Sequence, residues 1–297
     1  GTNVLLSGDA GTNWSSIYTT INSANLILKH TPEISFTNEA TRNEVMANAY
    51  FLRAYCYFTL VRVFGDCPLL TSGFESEKQE DMYPSRTAAS EVYAQVETDI
   101  EEALRLMPAS SKLLHKASPA AINMLRTEYY LWKAKRLGGG NAALSTAQSS
   151  VDAVLKAGYA LLPTFADIFN LNNEANSELI WTLPYIVNEN VTPGTSPNFF
   201  AYYLAPNGDR TRLREAGYTE DEVPAGSHAQ YVVPTQAYCD FLAEDARDTR
   251  TDVSVRVFED KFLTEEVQIK RMVVKFKGSF ANDTRSFDSD VPVYRLA

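Results

Sequence analysis

The chain has 297 residues, enough to bury a large core as one big domain or two. Apolar residues make up 45 % of it and the mean hydropathy is −0.23, the balance of a globular protein. No run approaches the ~18–20 apolar residues of a membrane span. With 37 acidic residues against 27 basic ones the net charge is −10 and the pI about 4.9. That balance argues against nucleic acid and anionic membrane surfaces as partners, because phosphate contacts need clustered Lys and Arg. The 3 cysteines are an odd number, and their spacing matches neither a disulfide framework nor a zinc pattern. Cys56 reads as a buried small hydrophobe. A Cys56–Cys67 bridge stays open, and Cys67 and Cys239 are unassigned.

In chain order, a first helix is expected over about Asn13 to Leu28. A second, strongly apolar and aromatic, runs from near Asn38 or Thr41 to Phe64. Thr41-Arg42-Asn43-Glu44 offers a capping box at its start. Val45, Ala49, Leu52, Cys56, Leu60 and Val63 recur at spacings of three and four and predict one core-facing stripe. Gly65 suits the left-handed position past a helix end, and Pro68 stops the helix from resuming. A third helix follows Ser85, with Val92, Val96, Ile100, Ala103, Leu104 and Met107 on one face and Pro108 closing it. Ser118-Pro119 is a start signal, Ser at the cap and Pro at the first helical position. That helix carries Ile122, Leu125, Tyr129 and Trp132 as far as the Gly138-Gly139-Gly140 turn. Asn141 opens the next, through Leu144, Ala147, Val151 and Leu155, closed by Gly158.

After Ile186 the helical period is lost. Val187 to Val233 is punctuated by Pro and Gly yet rich in aromatics, which favours an ordered loop region over disorder. Further on, Thr251 to Phe258 and Glu266 to Phe276 alternate apolar and polar residues and predict an antiparallel hairpin. Trp14, Trp132 and Trp181 lie in helical or strand patterns and read as core.

No catalytic constellation stands out. His30, His115 and His228 form no His-Glu-x-x-His, and neither a Gly-x-Ser-x-Gly elbow nor a phosphate-cradling Gly-rich loop is present. The acidic residues from Glu215 to Asp248 supply many carboxylate pairs of the kind glycoside hydrolysis uses, but a solvated acidic surface explains them better. Arg53 and Arg62 lie within an apolar helix and must find partners; a structural ion pair is the preferred reading for Arg53. Asp248 and Arg250 read as a local charge clamp. No catalytic residue, metal ligand or cofactor site is assigned.

The run Phe51-Leu52-Arg53-Ala54-Tyr55-Cys56-Tyr57-Phe58-Thr59-Leu60-Val61-Arg62-Val63-Phe64-Gly65-Asp66-Cys67-Pro68-Leu69 resembles the signature of the SusD/RagB family of outer-membrane nutrient-binding lipoproteins. Cys67 departs from it, standing where a small apolar residue is usual. Trp14 to Asn25 is similar to that family's first repeat helix, Gly158 to Pro163 with Asp167-Ile168-Phe169 to its middle connector, and Glu178 to Trp181 to the strand that follows. Asp248-Thr249-Arg250 and Pro292 to Ala297 resemble later landmarks, so the similarity is ordered along nearly the whole chain.

The resemblance implies a mainly α fold, a tetratricopeptide-like helical repeat scaffold with long irregular loops and a small β-hairpin. Residues 1–187 are expected to form the scaffold and 188–297 a loop-rich ligand-binding region. It further implies non-catalytic capture of oligo- or polysaccharide on the outer-membrane surface and delivery to a SusC-like TonB-dependent transporter. Family members carry a lipid anchor on a Cys near the mature N-terminus. No residue here fills that role, so a fragment lacking that anchor and a C-terminal helical portion is expected. A carbohydrate-active hydrolase and a peptide-binding repeat adaptor are the alternatives.

A neutral sugar ring offers an apolar face of C–H groups and a rim of hydroxyls, which aromatic side chains and neighbouring polar groups hold together. Phe199, Phe200, Tyr202, Tyr203 and Tyr218, with Arg212 among them, supply that mixture and are the candidate carbohydrate-binding residues. Phe74 and Tyr83, on the connector after the signature helix, are secondary candidates.

Overall fold

The computed structural model describes residues 13–76, 83–185, 219, 234–260, 268–273, 275, 279–281, 284–285 and 288–297. The chain divides into two compact units, Gly1–Tyr159 and Ala160–Ala297. The fold is mainly helical, with small antiparallel two-stranded sheets.

The first unit is built from α1 (Ser15–His30), α2 (Glu39–Phe64), α3 (Ala89–Leu106), α4 (Pro119–Arg136) and α5 (Gly140–Leu155). α2 packs against α1 and α3 and touches α4, and α4 packs against α5. Asn38 starts α2: its backbone is extended and its side-chain oxygen accepts from the Ala40 N–H at 2.8 Å. The Thr41 capping box is therefore not used, since Thr41 already lies inside the helix and only an extended residue can turn its side chain onto the first free N–H groups. At the other end Gly65 adopts φ +68° and donates its N–H to the Val61 carbonyl.

The single stripe expected on α2 is replaced by burial around most of its circumference. Phe51, Ala54, Tyr57, Phe58, Leu60 and Val61 are buried, whereas Val63 is 62 % exposed. A helix with neighbours on several sides is apolar nearly all round, and its burial follows those neighbours instead of one period. Phe58 sits at the centre of an aromatic group, edge-on to Tyr129 at 5.7 Å and Trp132 at 6.4 Å, with the Arg62 guanidinium 3.9 Å from its ring centre. The seam between α3 and α4 is polar, Glu97 accepting from Tyr129, Tyr130 and Lys133. Ser118 caps α4 as expected, accepting from Ala121 N at 3.1 Å with Pro119 at the first helical position. All three cysteines are buried free thiols, so Cys56 and Cys67 are not bridged.

In the second unit a short helix, α6 (Phe165–Ile168), is followed by β1 (Leu179–Leu183), which pairs antiparallel with β6 (Val291–Arg295). Trp181 lies opposite Tyr294, both buried, with ring centroids 5.9 Å apart. The buried Glu178 carboxylate accepts from Leu162 N and Arg295, and its carbonyl accepts from Leu296 N, so residues over a hundred apart in sequence are tied to one strand end.

Between these come α7 (Gln236–Ala243), α8 (Arg250–Ser254), β2 (Val255–Asp260), β3 (Gln268–Val273) and the two-residue pair β4 (Phe280–Ala281) and β5 (Thr284–Arg285). β2 and β3 form the expected hairpin, Val255 facing Val273 and Val257 facing Arg271. Thr251–Ser254 belong to α8 and not to the strand. Asp248 takes the Arg250 N–H at 3.0 Å and clamps its guanidinium, and Thr251 Oγ1 donates to the Leu242 carbonyl, so the chain is turned until Val255. Among the described residues no helix is long and apolar enough to cross a membrane.

Candidate functional site

The candidate residues Phe199, Phe200, Tyr202, Tyr203, Arg212 and Tyr218 lie outside the described residues. Of the secondary pair, Tyr83 is 96 % exposed and Phe74 lines a cleft in the first unit. Two further residues singled out in the sequence are structural. Arg53 makes a two-point contact with Asp99, and Arg250 is clamped by Asp248.

The cleft is made by α1 and the strap that leaves α2 after Gly65. Tyr18, Asn22 and Asn25 share one face of α1 at i, i+4 and i+7, and each grips the strap backbone. Tyr18 Oη donates to the Pro68 carbonyl at 2.7 Å. The Asn22 amide donates to Phe74 O at 3.1 Å and accepts from Phe74 N at 2.7 Å. Asn25 Nδ2 donates to Leu70 O at 2.9 Å and Ser72 O at 3.2 Å. Close approach also depends on Gly73, where a Cβ would fall 2.6 Å from Leu26 Cδ2 and 3.0 Å from the Leu26 backbone nitrogen.

Beneath the strap lies a buried network. The Arg53 guanidinium donates to Asp99 Oδ2 at 2.8 Å, to Asp99 Oδ1 at 2.7 Å and to Asn25 Oδ1 at 2.7 Å. Gln95 adds a bond to Asp99 Oδ1 at 2.8 Å, and Tyr57 Oη bonds to Leu70 O at 2.8 Å. Burial pushes the Asp99 carboxyl above its ordinary value, against the opposing pull of Arg53 and Gln95. The arginine of the signature run thus fixes the floor under the strap.

At the strap's far end Glu75 meets Lys29 at 2.8 Å and the His30 ring, whose other nitrogen faces Glu33 at 3.3 Å. The Glu75 and Glu33 hydrogen bonds raise the His30 pKa above 6.5. The latch is therefore fully formed below that ordinary value and is lost as pH rises through the higher folded-state value. An NMR titration of the His30 ring is expected to give a midpoint above 6.5; a midpoint at or below it would show that the latch does not form in solution.

The cleft encloses about 420 Å³, and Trp14, Tyr18, Asn22, Pro68, Phe74 and Pro84 are among its lining residues. Trp14, expected in the core, is only part-buried, in contrast to the buried Trp181. Its ring is held edge-on to Tyr18 at 5.7 Å and Phe64 at 5.1 Å, with the Arg86 guanidinium 5.0 Å from its centre. Arg86 donates to the Asp66 carbonyl at 2.5 Å, and the Asp66 carboxylate accepts from Ala89 N at the start of α3. No charged side chain lines the cleft among the described residues. Among the described residues no three His, Cys, Asp or Glu side chains cluster as a metal site.

A family model, SusD-like and described as starch-binding and associating with the outer membrane, matches residues 4–130. Three SusD-like proteins of Formosa agariphila are 28 %, 27 % and 31 % identical over 179, 244 and 214 residues, which is 58 %, 82 % and 65 % of this chain. A SusD superfamily structure from Bacteroides vulgatus superposes with a TM-score of 0.80 at 28 % identity over 96 % of the chain. Residues 4–130 thus match the SusD-like family model, and the chain has the fold of SusD superfamily structures. NanU of B. fragilis matches at TM-score 0.80 and 26 % identity over the same 96 % share. A protein solved with a xylogluco-oligosaccharide shares the fold at TM-score 0.72 and 15 % identity over 95 % of the chain. The mainly helical fold is accordingly tetratricopeptide-like, as in SusD superfamily structures. The chain spans 31–44 % of the length of those curated relatives, and 59 % and 58 % of the Bacteroides vulgatus and NanU structures.

Proposed function

We propose that this SusD-like chain serves non-catalytic capture of oligo- or polysaccharide at the outer-membrane surface. The captured glycan passes to a SusC-like TonB-dependent transporter, and the whole protein is held by a lipid anchor outside this sequence. The observation that carries it is the superposition of the SusD fold on 96 % of the chain at TM-score 0.80 with 28 % identity. The family model described as starch-binding, over residues 4–130, supports the ligand class. In this proposal residues 1–187 are the scaffold and 188–297 carry recognition loops. Phe199, Phe200, Tyr202, Tyr203 and Tyr218 stack on sugar faces, and Arg212 bonds a hydroxyl rim.

Titration of a neutral glycan panel into the wild-type chain, Tyr202→Ala and Tyr203→Ala tests the loop assignment. Losing one stacking ring is expected to weaken binding about tenfold, roughly 1.4 kcal/mol, with unfolding midpoints unchanged. Equal affinity in all three proteins would remove these residues from the site. Chromatography of the bound glycan checks the chemistry: intact ligand is expected, and release of shorter sugars would point to a hydrolase.

A further inference from the structure

We propose that the cleft between α1 and the strap is a second, separate carbohydrate contact that seats a neutral sugar ring against Trp14, Tyr18 and Phe74. This rests on the proposal that the chain captures glycans, and it adds a site that the loop residues do not include.

Three observations select the ligand class. Among the described residues the lining carries no charged side chain, the nearest guanidinium being that of Arg86 against the Trp14 ring, so the described walls favour an uncharged ligand. Three part-buried aromatic rings with Pro68 and Pro84 present apolar surface suited to C–H faces. At the open rim stand the hydroxyls of Ser15 and Thr19, both exposed. Thr19 donates its proton to the Ser15 carbonyl at 3.1 Å, which leaves its oxygen able to accept from a sugar hydroxyl. A volume of about 420 Å³ falls at the small end of the ~300–1,000 Å³ range of ligand pockets, the size of a short saccharide end and not of a long chain.

Two features separate a sugar from an extended peptide. Peptides that add to a protein edge need free backbone partners, and here the carbonyls of Pro68, Leu70, Ser72 and Phe74 already accept from Tyr18, Asn25, Tyr57 and Asn22. The same bonds, with Arg53 and Asp99 below, hold the cleft open before any ligand arrives. A preformed stacking site loses little freedom on binding, which is what a weakly held single ring requires.

The test uses the full chain and two variants. Phe74→Ala removes a stacking ring. Thr19→Trp, at an exposed position on α1, fills the cleft while leaving every packing contact of the scaffold in place. Titration with neutral mono- and disaccharides, followed by tryptophan fluorescence, is expected to show binding about tenfold weaker in Phe74→Ala and lost in Thr19→Trp. Tyr202→Ala should keep the disaccharide affinity of this cleft while weakening longer glycans. If wild type binds longer glycans while Thr19→Trp retains all short-sugar affinity, the cleft is not a sugar site and the loop proposal stands. If no saccharide of any length binds wild type, glycan capture fails and the cleft assignment with it. A proline-rich peptide titrated in parallel that saturates wild type but not Thr19→Trp, with no sugar competing, would overturn the assignment in favour of a peptide groove.

Discussion

Replacing Asp99 with alanine is expected to lower stability by about 3–5 kcal/mol, because it strands the Arg53 guanidinium in the interior. Arg53 and Asp99 side chains are 6 % and 0 % exposed, so the guanidinium left behind stays largely out of bulk water. The loss should reach beyond the pair. Arg53 also holds Asn25, and Asn25 holds the strap at Leu70 and Ser72, so the cleft wall loosens with the network. Urea unfolding followed by circular dichroism measures the stability, and amide exchange at Leu70 and Phe74 measures the strap. Replacing both partners together, Arg53→Met with Asp99→Leu, should recover part of the loss, since an apolar pair leaves no unpaired charge. A loss for Asp99→Ala below about 1 kcal/mol, the level of an exposed ion pair, contradicts the clamp.

Phe58→Ala is expected to cost about 3–5 kcal/mol through lost burial and the cavity left behind. The ring is fully buried and joins α2 to α4 through Tyr129 and Trp132, and it carries the Arg62 guanidinium on its face. Val63→Ala, five residues along the same helix, is the internal comparison. Its side chain is 62 % exposed, and the change should stay within about 0.5 kcal/mol. Thermal unfolding of the two variants separates real all-round burial from a simple stripe. Similar losses at both positions would contradict the burial seen for α2.

What the sequence made legible was mostly local. Ser118-Pro119 marked the start of α4, because capping and the missing proline N–H are decided within a few residues. Gly65 marked the exit of α2 for the same reason, and the β2–β3 hairpin, though not its register, followed from alternation. The need of Arg53 for a partner was legible too, but not that the partner is Asp99, 46 residues on. Periodicity carries no information about which helix faces which.

Where two local signals competed, alternation and spacing did not choose between them. Asn38 capped α2 ahead of Thr41, and the Asp248 turn carried Thr251–Ser254 into a helix before the strand began. The cleft was the largest omission. Trp14 looked like core because it continues the α1 pattern, and its exposure depends on a strap reached only after the whole of α2. One signal was present: Tyr18, Asn22 and Asn25 form a polar row on a helix that packs by its apolar face. Such a row needs backbone partners, and the strap supplies them.

The most direct measurement of the central claim is calorimetric titration of the chain with neutral oligosaccharides, with the bound sugar recovered and sized afterwards. Saturable binding of at least one glycan, recovered at its original length, is the predicted result. No binding across the panel, or recovery of shortened products, would contradict glycan capture without catalysis.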